Sequence, residues 1–192
     1  MVLSNKSQRF DVFPTPLAGL MVIQRRPIED ERGSFCRFFC SEEFRNAGLN
    51  KPIVQVNHTV TKKAGAVRGL HFQYPPHAET KIVSCIKGEI FDVAVDLRKG
   101  SPTFLRWHGE KLSASNNKSL LIPEGFAHGF QAMTDDCEVV YLTTAPYTPD
   151  SEGGFNVQDP CLGIKWPLLI TKISCKDKIQ KFVESSYGGE SL

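Results

Sequence analysis

From residue 53 onward the pattern is β almost throughout, with runs that alternate apolar and polar positions at a period of two. Residues 53–58 set Val54 and Val56 against Ile53, Gln55 and Asn57. Residues 66–73 place Ala66, Arg68, Leu70 and Phe72 on one face and Val67, Gly69, His71 and Gln73 on the other, because successive strand side chains point to opposite sides. Pro75-Pro76 stops that run. Residues 80–86 and 89–97 flank Lys87-Gly88 and predict a hairpin. Further strands are predicted over residues 103–107, 120–122, 127–133 and 137–143, and upstream over 17–23 and the phenylalanine-rich 34–40. Two helices stand out against this pattern. Ser41-Glu-Glu-Phe-Arg-Asn-Ala-Gly48 offers Ser41 as N-cap, acids in its first turn and Gly48 as the residue past its end. In the tail, Ile179, Phe182 and Val183 have helical spacing over residues 177–185.

Many short strands with frequent Gly, Pro, Asn and Asp turns predict an all-β sandwich or barrel. The 192 residues favour one domain, 1–192, with a leader over residues 1–16 and a frayed tail over 186–192. A domain of this length buries about 70% of its unfolded surface and needs no staples. Net charge is only +2, which argues against the concentrated basic face that nucleic acid requires. No run of 18 apolar residues marks a membrane helix, and the polar start lacks the apolar core of a signal peptide, so a cytoplasmic protein is expected. Cys36, Cys40, Cys85, Cys137, Cys161 and Cys175 follow neither a disulfide-like nor a zinc-like rhythm and read as small packers in a reducing compartment.

The chemistry concentrates in residues 68–81, where Arg68, His71 and Lys81 surround the Pro-Pro corner. A lysine on an apolar strand needs a reason, since burying an unpaired ammonium is costly, and Asp92 is its candidate partner. His128 sits between small residues in an apolar strand and needs a partner or a ligand. Metal ligation is not expected: position 73 is Gln, so His71 has no histidine two residues on, and His128 stands alone. Arg32, in the Asp30-Glu-Arg-Gly33 turn, reads as a solvated residue ahead of an anion contact at a pocket rim. His71, Lys81 and Tyr141 together make an acid–base set. A histidine can remove a carbon-bound proton that a neighbouring carbonyl acidifies. A lysine can steady the enolate oxygen, and a tyrosine on the other side can return the proton. That chemistry belongs to an epimerase or a ketone–enol isomerase.

These motifs resemble the dTDP-4-dehydrorhamnose 3,5-epimerase family. The marks are Asp30-Glu-Arg-Gly33, Val67-Arg-Gly-Leu-His-Phe-Gln73, the run from Gly88 to Arg98, Ser101-Pro-Thr-Phe104, the run from Ile122 to Phe130 and Gly163-Ile-Lys-Trp-Pro167, in order across nearly the whole chain. The resemblance implies a cupin-type jelly roll, usually a homodimer, that works without metal or cofactor. It implies a dTDP-4-keto-6-deoxyhexose substrate inverted at C3″ and C5″, with inversion at C3″ alone, or action on a related 4-keto nucleotide sugar, as the alternative. A non-catalytic sugar-binding cupin would keep the fold but not the acid–base set. His71 matches the family's base, Asp177 the acid that orients it, Lys81 the lysine at the C4″ oxygen and Tyr141 the proton donor. Arg68 and His128 match contacts to the diphosphate or sugar, and Gln55, Asn57, Glu152 and Lys176 also fall where the family binds substrate. Arg32 matches a rim arginine that reaches the neighbouring subunit's site. One departure is Arg37, where the family commonly has a glutamate.

Overall fold

Strands that are apolar on one face must bury that face, and two sheets laid together do so. The computed structural model describes residues 8–192. The first seven residues, part of the expected leader, lie outside the described residues. The strands are β1 (Phe10–Pro14), β2 (Met21–Arg25), β3 (Ile28–Asp30), β4 (Gly33–Phe35), β5 (Gln55–Thr61), β6 (Val67–Gln73), β7 (Lys81–Lys87), β8 (Glu89–Asp96), β9 (Trp107–Ser113), β10 (Lys118–Ile122), β11 (Phe126–Ala132), β12 (Cys137–Thr143) and β13 (Glu152–Gly154), with short helices α1 (Ser41–Arg45) and α2 (Cys175–Lys178). A six-stranded sheet in the order β1-β2-β10-β7-β12-β5 lies with a five-stranded sheet in the order β13-β6-β11-β8-β9, and β3-β4 form a separate ribbon. Every pairing among these named strands is antiparallel. The all-β jelly-roll sandwich is the expected fold. None of the described helices is long and apolar enough to cross a membrane.

Leu20, Val83, Ile90, Leu112, Leu120 and Phe126 are buried together in a core that draws on both sheets. Val67, Leu70, Phe72, Val93 and Val95 of the five-stranded sheet pack against Phe155, Val157 and Leu162 from the chain after β13. Ile23, Ile82, Leu121 and Leu142 of the six-stranded sheet pack against Phe44 of α1 and the following Ala47 and Leu49. Each large side chain so buried contributes about 2 kcal/mol.

Several elements differ from the alternation pattern, each for a physical reason. Lys87-Gly88 is not a hairpin: β7 and β8 belong to different sheets, and the chain crosses between them. Gly88 makes the crossing with φ at 74°, where a Cβ would meet Thr134 Oγ1 at 2.4 Å. The strand expected over residues 34–40 stops at Phe35, and Phe39 packs on Phe44 instead. Residues 103–106 form a turn, and the strand begins at Trp107, running through a polar, half-exposed edge that alternation hid. Ser41 is the first residue of α1 rather than its cap, a position held by Cys40. The tail helix is only α2, because Ile179 and Phe182 are exposed and give a longer helix no face to bury. Residues 186–192, expected to fray, are tied down where Glu190 exchanges backbone hydrogen bonds with Leu97 and Lys99.

Candidate active site

The site begins with an irregularity in β6. His128 of β11 faces His71, and Phe130 faces Arg68, so β6 uses one more residue than its partner over this step. That is a β-bulge. Strict alternation would send Arg68 and His71 to opposite faces; the bulge brings both to the same cleft. It also puts Val67 in one cluster with Leu70 and Phe72. Gly69 makes this bend. Its φ is 123°, and a Cβ would meet Gly129 Cα at 2.5 Å and the His128 carbonyl oxygen at 2.8 Å.

His71 Nε2 lies 2.7 Å from Asp177 Oδ1. The tail brings Asp177 in through α2, where Ser174 is the N-cap and its hydroxyl accepts the Asp177 N–H at 3.0 Å. The Asp177 side chain is only 5% exposed. Burial alone would raise its carboxyl. The hydrogen bond and charge of His71 outweigh that, helped by Ser174 and the Gly69 N–H, and hold the carboxyl below the usual range.

Lys81 opens β7, and its Nζ lies 3.0 Å from Glu79 Oε1 and 3.4 Å from the His71 carbonyl oxygen. Its partner is therefore Glu79. Asp92, expected in that role, pairs with His128 instead, Nε2 to Oδ1 at 2.7 Å. Adjacent positions of β8 and β11 put the two together, since Asp92 pairs with Phe130 and Ala94 with His128. Asp92 is fully buried, which pushes its carboxyl up against the pull of His128 and Lys81. Tyr141 packs against the core. Burial raises its phenol, with Arg68 pulling down and Glu79 pushing up.

Two chambers meet at these groups. The larger has a volume of about 710 Å³ and the smaller about 380 Å³. The residues common to both linings are His71, Lys81 and Tyr141. Arg68, His128, Lys176 and Asp177 line the larger chamber, while Gln55, Asn57 and Glu152 line the smaller. Arg68 is held by Thr61 Oγ1 at 2.9 Å and the Val60 carbonyl at 3.0 Å. Gln55 donates to Asn57 Oδ1 at 2.9 Å, and Glu152 accepts from Tyr147 at 2.7 Å and Lys176 at 2.5 Å. Burial would raise Glu152, but those two donors outweigh it and hold its carboxyl down.

Arg32 lines neither chamber of its own chain; it sits on the β3-β4 turn, paired with Asp30 at 2.5 Å. Arg37 pairs with Glu43 of α1 at 3.1 Å, so the cation that departs from the family pattern has a local counter-charge. Sequence reasoning missed Glu79 and Tyr147. Nothing in the loop after Pro75-Pro76 singled out an acid, and the signal for Glu79 was a strand lysine in need of a partner two residues on. Tyr147 carried no signal in the sequence. Gln73 is buried as a brace, sharing its two amide N–H donors among Glu79, His77 and Pro146 and accepting from Thr148.

The chain resembles known proteins in sequence and in fold. The family model described as dTDP-4-dehydrorhamnose 3,5-epimerase matches residues 14–185. The dTDP-4-dehydrorhamnose 3,5-epimerase of Shigella flexneri is 43% identical over 179 residues, covering 92% of this chain and 98% of that one. The dTDP-6-deoxy-D-glucose-3,5-epimerase of Legionella pneumophila, solved with dTDP-4-keto-L-rhamnose, superposes with a TM-score of 0.88 at 35% identity, covering 95% of this chain and 99% of that one. A 3′-monoepimerase from Streptomyces bikiniensis, solved with dTDP-quinovose, gives a TM-score of 0.82 at 34% identity over 88% of this chain and 86% of its own. Matches in sequence over most of the chain place it in the dTDP-4-dehydrorhamnose 3,5-epimerase family.

Proposed function

We propose that this chain inverts C3″ and C5″ of a dTDP-4-keto-6-deoxyhexose through enolate intermediates. The observation that carries the reading is the junction itself. A histidine bonded to a buried carboxylate, a lysine and a phenol are the groups shared by two adjoining chambers. In the neutral ring, Nε2–H donates to Asp177, which leaves Nδ1 as the basic nitrogen. His71 takes the proton beside the C4″ ketone, and Asp177 steadies the imidazolium that forms. Lys81 donates to the C4″ oxygen as its charge develops. Tyr141, kept protonated by burial, returns a proton from the opposite face. Each half-reaction breaks one C–H bond and makes another on the same carbon, so nothing is oxidised. Arg68, His128, Lys176, Gln55, Asn57 and Glu152 would hold the diphosphate, sugar and nucleoside within the two chambers.

A second reading, inversion at C3″ alone, draws on the structural match to the 3′-monoepimerase. Turnover of a panel of 4-keto nucleotide sugars with dTDP, UDP and GDP handles separates the readings. The first requires inversion at both carbons of the dTDP sugar. Inversion at one carbon, or preference for another nucleotide, contradicts it.

Self-association belongs to the same reading. The edge strand β5 turns its apolar positions outward: Val56 is 63% and Val60 44% exposed, with Val54 just before them at 53%. Ile28 and Phe35, on the ribbon that carries Arg32, are exposed as well. A second copy of the chain laid against these surfaces would bury them and bring Arg32 toward a neighbouring cleft. The six cysteines are free thiols, in keeping with the reducing cytoplasm proposed for such an enzyme.

A further inference from the structure

The cleft contains a buried carboxylate that the reaction scheme does not use. Glu79 follows the Pro75-Pro76 corner, and its side chain is 6% exposed. Oε1 stands 3.0 Å from Lys81 Nζ, and Oε2 accepts from Gln73 Nε2 at 2.9 Å. Gln73 is itself pinned: its two amide N–H donors are shared among Glu79 and the His77 and Pro146 carbonyls, and its oxygen accepts the Thr148 N–H at 2.6 Å. An ammonium has three N–H donors. Glu79 and the His71 carbonyl draw on two of them, which leaves one for the cleft. Without such a clamp, a lysine swings a compact charge on a flexible stem.

Building on the epimerase reading, we propose that Glu79 is a positioning residue. Clamped by Gln73, its carboxylate holds the Lys81 ammonium with one N–H directed at the place of the substrate's keto oxygen, and it cancels the ammonium's net charge. The enolate oxygen is then met by a directed hydrogen bond rather than by a roaming cation. The charged and titratable groups that line the chambers beside this pair include His71 and Arg68 from β6, His128 from β11, Tyr141 from β12, Glu152 from β13 and Asp177 from α2, with Asp92 of β8 bonded to His128. Among the described residues, Glu79 is the acid paired with Lys81. Its charge also reaches Tyr141, where it adds to the burial that keeps the phenol protonated.

Glu79→Gln removes the charge and keeps the size; Glu79→Asp keeps the charge and shortens the reach. Two readouts decide. The first is the titration of Tyr141 by carbon NMR of ring-labelled tyrosine, assigned with Tyr141→Phe, which needs no turnover. In Glu79→Gln its midpoint falls below that of the wild type, while Glu79→Asp stays near it. The second is steady-state epimerisation beside dTDP binding. In Glu79→Gln, kcat falls about tenfold, dTDP affinity holds within twofold, and Glu79→Asp recovers part of the loss. An unchanged Tyr141 titration overturns the proposal, as does a kcat within twofold of wild type or dTDP affinity falling in step with kcat. If the wild type turns over no 4-keto sugar, the epimerase reading fails on its own, and the titration still decides whether Glu79 sets the charge at this junction.

Discussion

Arg68 and His71 reach the same cleft from a single strand because β6 takes three residue steps where β11 takes two. The bulge at Gly69 therefore makes the site, and it depends on two glycines in contact across the sheet: a Cβ on Gly69 meets Gly129 Cα, and a Cβ on Gly129 meets the Arg68 carbonyl oxygen at 2.7 Å. Gly69→Ala is expected to lose at least about 2 kcal/mol of stability, from the positive φ and the backbone clash together. Urea unfolding measures this. A loss under about 0.5 kcal/mol, as at an ordinary surface position, contradicts the account of the bulge.

Tyr141→Phe separates proton removal from proton return. The variant keeps His71 and Lys81, so the substrate continues to exchange its carbon-bound protons with solvent on the His71 face. Inversion falls by about 100-fold or more, the usual scale for losing a general acid. Product stereochemistry and deuterium content, read from the same NMR sample, test this. Equal losses of exchange and inversion would remove Tyr141 from the donor role.

The outward valines of β5 predict self-association. Val56→Lys places a charge at a position 63% exposed in the single chain, where it costs the isolated fold little. Sedimentation is expected to show a dimer for the wild type and a shift toward monomer for the variant, with thermal unfolding of the monomer nearly unchanged. A wild type that sediments as a monomer at micromolar concentration contradicts the proposal.

Asp96 gives the fold a pH dependence away from the cleft. Its carboxylate is fully buried and accepts from Arg98, Ser101 and Thr103 at 2.6–2.8 Å. Burial would raise it, but these donors win and lower it from 3.8 to about 2. A depressed carboxyl contributes stability that is present above its unfolded value and lost as pH falls through the folded one. About 2 kcal/mol is expected to disappear between about pH 5 and pH 2. In Asp96→Asn, the unfolding free energy changes less across that window than in the wild type; an equal change rules Asp96 out as the source.

Period-two alternation made most strands legible, since a half-buried sheet imposes it. It could not say which face is inside. Val54 and Val56 look like core positions, yet they face outward while Gln55 and Asn57 line the smaller chamber. Nor could it tell strands that pair from strands that face one another, which is why Lys87-Gly88 reads as a hairpin and is a crossing between sheets. The candidate site was legible in part. His71, Lys81 and Tyr141 stood out as polar groups on strands that should be apolar. Asp177 stands 106 residues from His71, and no local pattern links them; family resemblance supplied that pair. The sequence contained two acids able to answer Lys81, Asp92 and Glu79, and only the fold assigns Asp92 to His128 and Glu79 to the lysine.

On the proposed mechanism, His71 removes protons beside a keto group at this junction. Proton NMR of dTDP-4-keto-6-deoxyglucose in deuterated buffer tests it directly, with the wild type and His71→Asn side by side. Deuterium is expected at both C3″ and C5″ with the wild type, and exchange slower by at least about 10²-fold with the variant while dTDP still binds. Undiminished exchange in His71→Asn would contradict it.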